Sequence, residues 1–230
     1  MGSVMKLLHI CGVPCLVVAA GLLTGCGRSQ RDPSPPRLRT VNVDGLPERG
    51  DPIGPLDQQR IEVAPPKGWY VPSQTSQWII RFTPSDQMTY PSIIVRAEDY
   101  QGLANVSRTN VDEFAEQVAG AFDKDKSAAK RTMAIVPIEI GRFVGVSYRR
   151  RGKAPYGSKE ILVERLLLDT VVAGRKYTIE LQTRDGELES YEPYLFAVAA
   201  GMHFLETGSA DKSRQPEAGS ESELTEKDGA

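Results

Sequence analysis

The sequence predicts an α+β domain, an antiparallel β-sheet flanked by helices. Every aromatic residue lies between Trp69 and Phe204, and aromatic side chains dominate core burial, so the core belongs to that stretch. Within it, period-two segments come in runs, three strands, a helix, four strands and a helix. Runs of adjacent strands favour antiparallel pairing over βαβ alternation. The stretch 61–206 is long enough to bury an independent core.

The elements follow in order. Ile61 to Ala64 reads as a short strand, closed by a turn at Pro65-Pro66-Lys67-Gly68. Trp78 to Thr83 and Ser92 to Glu98 carry the β-branched and aromatic residues that strands prefer. Asn110 with Glu113 three residues on forms a capping-box pattern. Val111, Phe114, Ala115, Val118, Ala119 and Phe122 then recur on one helical face, and Lys124-Asp125-Lys126 ends the helix. Four strands follow, near Met133–Ile140, Phe143–Arg150, Lys159–Leu168 and Arg175–Arg184. Gly141-Arg142 makes the first hairpin turn and Asp169 to Gly174 the last. Tyr177, Ile179 and Leu181 alternate cleanly, so that strand buries one face. A final helix runs from about Glu189 to Met202, and Pro193 suits only its first turn.

The ends read differently. Lys6 precedes a mostly apolar run from Leu7 to Leu23, the pattern of a secretory signal peptide. Leu23-Thr24-Gly25-Cys26 resembles the bacterial lipobox. That resemblance implies a signal peptide at 1–25 that is removed, and a Cys26 carrying a diacylglyceryl group and an amide-linked acyl chain such as palmitate. One chain binds a membrane reversibly, at about 0.8 kcal/mol per buried methylene, whereas two or more hold firmly. In the lipoprotein sorting pattern, Gly27 in place of Asp points to the outer membrane, facing the periplasm. Residues 26–60 hold six of the sixteen prolines and few large apolar side chains, and are expected to be a stiff tether. The tail 207–230 has six acids against three bases and is expected to be disordered.

The charge balance, 28 bases against 30 acids, gives no field for nucleic acid. After signal removal His203 and Cys26 are the only His and Cys left. A zinc site of His and Cys ligands cannot be assembled, and Cys26 is taken by lipid. No phosphate loop, nucleophile elbow or metal-ligand helix motif occurs. His203 lies among small and apolar residues and reads as structural. Glu139, Glu160, Glu164 and Glu180 alternate with apolar neighbours and are expected on the solvent face of the sheet. A non-enzyme without metal or cofactor is expected.

The order of elements resembles the PsbP-like family and the related Ran-binding import factors. The resemblance rests on Pro66-Lys67-Gly68-Trp69, the Trp78 strand, the helix at 110–123, the hairpin at 143–168 and the closing Tyr194–Phe204 segment. It implies an antiparallel sheet sandwiched by helices and a non-catalytic binding or assembly role.

One local imbalance stands out. From Arg142 to Lys176 there are nine bases and three acids. Arg149, Arg150, Arg151, Lys153, Tyr156 and Lys159 form a candidate docking surface for an envelope protein or an anionic envelope surface. The alternative is a carrier, with a small apolar ligand held between the sheet and Phe114, Val118 and Phe122.

Overall fold

Strand formation along this chain produces two sheets whose faces are covered unequally. The computed structural model describes residues 37–72, 76–124 and 133–205. All of these fall in the unit running from Pro35 to Ala230; a second unit, Met1–Ser34, lies outside them. The expected signal peptide, Cys26 and the tail 207–230 therefore also lie outside the described residues.

The strands are β1 (Arg39–Val41), β2 (Ile53–Leu56), β3 (Ile61–Val63), β4 (Ile80–Phe82), β5 (Ser92–Asp99), β6 (Val136–Ile140), β7 (Phe143–Tyr156), β8 (Lys159–Val172), β9 (Arg175–Arg184) and β10 (Met202–Phe204). The helices are α1 (Val111–Lys124) and α2 (Leu188–Ala200). A seven-stranded sheet has the order β1-β6-β7-β8-β9-β5-β4, and β10-β3-β2 form a smaller one. All pairs are antiparallel except β1 with β6. The α+β expectation holds.

One face of the large sheet packs Ile93, Ile138, Phe143, Leu168, Ile179 and Leu181 against α2 and the small sheet. On the other face Val146, Tyr148, Leu167 and Val171 pack under Phe114 and Val118 of α1. Strand residues alternate between faces, so a run such as Leu166-Leu167-Leu168 supplies both cores.

Several boundaries move. The domain does not begin at residue 61. Part of the expected tether is folded: β1 extends the large sheet beside β6, and β2 pairs with β3. Val41, Leu46, Ile53 and Leu56 pack against the main core, and Arg39 reaches Glu192 at 3.3 Å. Backbone pairing substitutes there for the side-chain burial that the composition lacks. Strands β7 and β8 run on to Tyr156 and Val172. The turn expected at 169–174 is Ala173-Gly174, both with positive φ (51° and 71°), a conformation suited to two-residue hairpins. Asp169 is thus a strand residue.

Helix α1 forms where expected, but Asn110 does not close a capping box. Its Oδ1 accepts from Ser107 N at 2.7 Å and its Nδ2 donates to the Asn105 carbonyl, so it braces the preceding loop. Pro193 sits beyond the first turn of α2, inside the helix. Burial of Leu195, Phe196 and Val198 outweighs the backbone bond it forfeits.

The β2–β3 connection is held by charge. Asp57, Gln58 and Gln59 are all left-handed (φ 47°, 57° and 66°), which costs about 1–2 kcal/mol per residue. The Asp57 carboxylate accepts from Arg175 Nε and Nη2 at 2.6 and 2.5 Å and from Tyr177 Oη at 3.0 Å. Burial alone would raise its pKa; the bonds from Arg175 and Tyr177 outweigh that and hold it below the usual range. Burial and the same carboxylate push the Tyr177 phenol up to about 12. Both ionic partners are largely buried, with 18% and 6% of their side-chain surface exposed. Breaking such a pair costs on the order of 3 kcal/mol, the expected loss for Asp57→Asn by urea unfolding at pH 7. The native carboxyl is depressed, so its contribution is present above pH ~4 and fades as pH falls through the native value. A deficit that did not shrink as pH fell below about 4 would sink the assignment.

Candidate functional site

The β7–β8 hairpin is longer than the sheet it belongs to. Strand β6 pairs with β7 only up to Val136–Ser147, and β9 with β8 only up to Val163–Arg184. The four rungs from Lys153–Leu162 to Tyr156–Lys159 have no third strand among the described residues. They form a two-stranded ribbon closed by Gly157, whose φ of 59° suits the turn. Tyr90 packs on Ala154 and Val163 at its base and approaches Tyr156. Tyr156 (40% exposed) and Leu162 (38%) face outward.

The pleat divides the basic run. Arg149 bonds Glu192 of α2 at 3.0 Å, Arg151 pairs with Asp185, and Lys153 lies 3.6 Å from Glu160. Arg150 points to the opposite face, with its guanidinium 5.5 Å from the Phe122 ring centre. The expected single docking surface of Arg149, Arg150, Arg151, Lys153, Tyr156 and Lys159 is therefore split. Three of its cations have internal carboxylate partners, while Tyr156 and Lys159 sit at the open tip.

The expected helix–sheet cavity is filled. Phe114 and Val118 are buried against Val146, Tyr148 and Leu167, with Phe122 against Tyr148. A cleft of about 520 Å³ opens beside α1 instead, over the part of the sheet built by β8, β9 and β5. Leu167, Thr178 and Glu180 form its floor; Tyr148 and Arg150 stand on the helix side, Arg96 and Trp78 on the other. Register explains the grouping, since Tyr148, Leu167 and Glu180 stand opposite one another across three strands.

Glu180, 5% exposed, pairs with Arg96 and with Arg165 (3.3 Å), and accepts from Gln182 at 2.7 Å. Lys176 bonds Glu98 at 2.5 Å. Below them Asp169 is fully buried, accepting Tyr148 Oη at 3.0 Å and Thr178 Oγ1 at 2.6 Å. Desolvation raises its pKa, outweighing the nearby Lys176 charge and the two hydroxyls. Burial, then the Asp169 charge, pushes the Tyr148 phenol well above its ordinary value.

The carboxylates expected on the solvent face are not equivalent. Glu139 and Glu180 are buried and ion-paired, Glu139 with both Nε and Nη2 of Arg108. Glu160 is exposed, and Glu164 accepts from Gly186 N at 3.0 Å. His203 is exposed on β10, opposite Glu62. Among the described residues no group of three or more His, Cys, Asp or Glu could hold a metal ion, and no helix is long and apolar enough to cross a membrane.

Sequence reasoning missed Arg96, Trp78, Tyr148 and Asp169 as neighbours. The usable signal was period-two spacing: Arg165, Leu167 and Asp169 share a face once β8 is read as continuing past Leu168.

No family model matches the chain, and no curated protein matches it. Similar solved structures include the cyanobacterial PsbP (CyanoP) of Synechocystis sp. PCC 6803, at 16% identity over 72% of this chain and 97% of that one, TM-score 0.42. Another is LpqN of Mycobacterium tuberculosis, which is involved in cell envelope biogenesis; it shows 12% identity over 66% and 88%, TM-score 0.34. A Bacteroides thetaiotaomicron VPI-5482 protein shows 12% identity over 65% of this chain, which spans only 47% of that one, TM-score 0.39.

Proposed function

We propose that this chain is a lipid-anchored, non-catalytic binding module of the bacterial cell envelope that docks an envelope protein through the tip of the β7–β8 ribbon. The anchor rests on Leu23-Thr24-Gly25-Cys26 following an apolar run. The ribbon is the observation that carries the docking reading. Beyond Leu162, whose carbonyl accepts from Asp185 N at 3.2 Å, its strand edges have no neighbour among the described residues, and it exposes Tyr156 and Leu162. Open edges are templates for pairing with another chain, and aromatic residues are enriched at the centres of interfaces. Internal neutralisation of Arg149, Arg151 and Lys153 favours a protein partner over a purely electrostatic attraction to an anionic surface.

The test is photo-crosslinking in the source bacterium with the reactive group at position 156, and at exposed Glu189 as control. The expected result is a discrete adduct from position 156 alone, recovered with membranes, and lost in Leu162→Asp. Cys26→Ser should remove the protein from the membrane fraction. Equal labelling from both positions, or an adduct indifferent to Leu162→Asp, would overturn the docking assignment; membrane retention of the Cys26→Ser chain would overturn the anchor.

A further inference from the structure

The cleft beside α1 has a charge pattern that the fold leaves unbalanced. Arg150 and Arg165 are direct cross-strand partners on one face. Like charges in that position are destabilising. Arg165 shares the Glu180 carboxylate with Arg96, so two guanidinium groups bond one buried acid and the third, Arg150, stands beside Arg165. Arg150 makes no ion pair with a carboxylate among the described residues; its guanidinium lies over the Phe122 ring. This cluster carries two positive charges beyond Glu180, whereas Lys176 and Glu98 cancel.

The opposite wall is aromatic. Trp78 lines the cleft, and its indole Nε1 is buried with no hydrogen-bond partner among the described residues. Buried donors without acceptors are uncommon and call for an explanation. Between the two ends lie the apolar surface of Leu167 and the edge of Tyr148. The volume, about 520 Å³, exceeds that needed by a bare ion and falls in the range of small-molecule sites.

We propose that this cleft binds an organic phosphate. Its dianionic head sits at Arg150, beside the Arg165–Glu180–Arg96 cluster, and its organic part lies along Leu167 towards Trp78. The two positive charges that the cluster carries beyond Glu180 among the described residues match the charge of a phosphate monoester, and the planar fork of arginine matches its oxygens in bidentate fashion. The site is separate from the ribbon tip, so either assignment stands without the other. The phosphate could belong to a phospholipid headgroup or to a soluble metabolite; both present the same chemistry to the cleft.

The experiment is calorimetric titration of the full chain in neutral detergent micelles at low salt. The probes are glycerol 1-phosphate, dihexanoyl phosphatidic acid, inorganic phosphate and uncharged glycerol, and Trp fluorescence is followed in parallel. The expected result is saturable binding of an organic phosphate, weaker binding of inorganic phosphate, and none of glycerol. Affinity for the organic phosphate should fall at least about tenfold in Arg150→Ala, with partial recovery in Arg150→Lys, which keeps the charge and loses the fork. Glu180→Gln should bind more tightly, because a competing anion is removed. That opposite sign is not produced by simple loss of structure. Binding of phosphatidic acid alone identifies a lipid headgroup; binding of both organic probes identifies a soluble phosphate. No binding of either at millimolar concentration, or binding unchanged in Arg150→Ala, overturns the proposal. The ribbon crosslink is untouched by that failure.

Discussion

Gly145→Ala is expected to leave the domain largely unfolded. A Cβ on residue 145 would lie 2.1 Å from the Asp169 carbonyl oxygen and 3.1 Å from the Phe143 ring. The obstructing atom belongs to the backbone of the adjacent strand, so no rotamer change relieves it. The two longest strands would have to separate by about an ångström where their ladder is already irregular. Regular pairing of β7 with β8 stops at Val146–Asp169, and beyond it Thr170 Oγ1 donates to the Val144 carbonyl at 2.7 Å. Ordinary overpacking costs about 1–3 kcal/mol. A clash with backbone at the junction of both cores belongs in the class above about 4 kcal/mol, against roughly 5–15 kcal/mol for a whole domain. Gly120→Ala is the matched control. It lies inside α1 with nothing within 4 Å of the added carbon, so it should stabilise by about 0.5–1 kcal/mol. Urea unfolding followed by circular dichroism separates the two. A Gly145→Ala protein with a midpoint near that of the unaltered chain would show that the strands do not approach so closely.

That close approach could not be read in the sequence, where Gly145 is one glycine of twenty-one. What could be read was periodicity. Strand β9 begins and ends where its alternation does, and the apolar stripe of α1 matches the face that packs on Val146 and Tyr148. The failures share a cause, which is that residue type stood in for position. Prolines and a lack of aromatics made 37–60 look unstructured, yet strands of three and four residues need only a neighbouring edge. Consecutive arginines made 149–151 look like one surface, although period two sends Arg150 to α1 and its neighbours towards α2 and Asp185. The cleft was invisible for a related reason. Its members come from β4's approach, β5, β7, β8 and β9, and only the register of those strands brings them together.

The sequence places Asp169 at the start of a turn, whereas the structure puts it inside β8, and that position gives the second large effect. Asp169→Ala should cost about 2–4 kcal/mol, since the Tyr148 and Thr178 hydroxyls would lose their buried acceptor together. Asp169→Asn separates shape from charge. Desolvation raises the native carboxyl above its unfolded value, so the native state holds its proton to higher pH than the unfolded chain. Stability from this group is fully present below the unfolded value near pH 4, and falls as pH rises towards the native value. The asparagine side chain fills the same space without a charge, and either hydroxyl can turn to accept from its amide. The stability difference between Asp169→Asn and the unaltered chain should therefore shift in favour of the variant between pH 5 and pH 8. Denaturation midpoints at those two pH values decide it. A difference that stayed the same at the two pH values would mean that the two hydroxyls and Lys176 outweigh burial, and that Asp169 holds a fixed negative charge below the cleft.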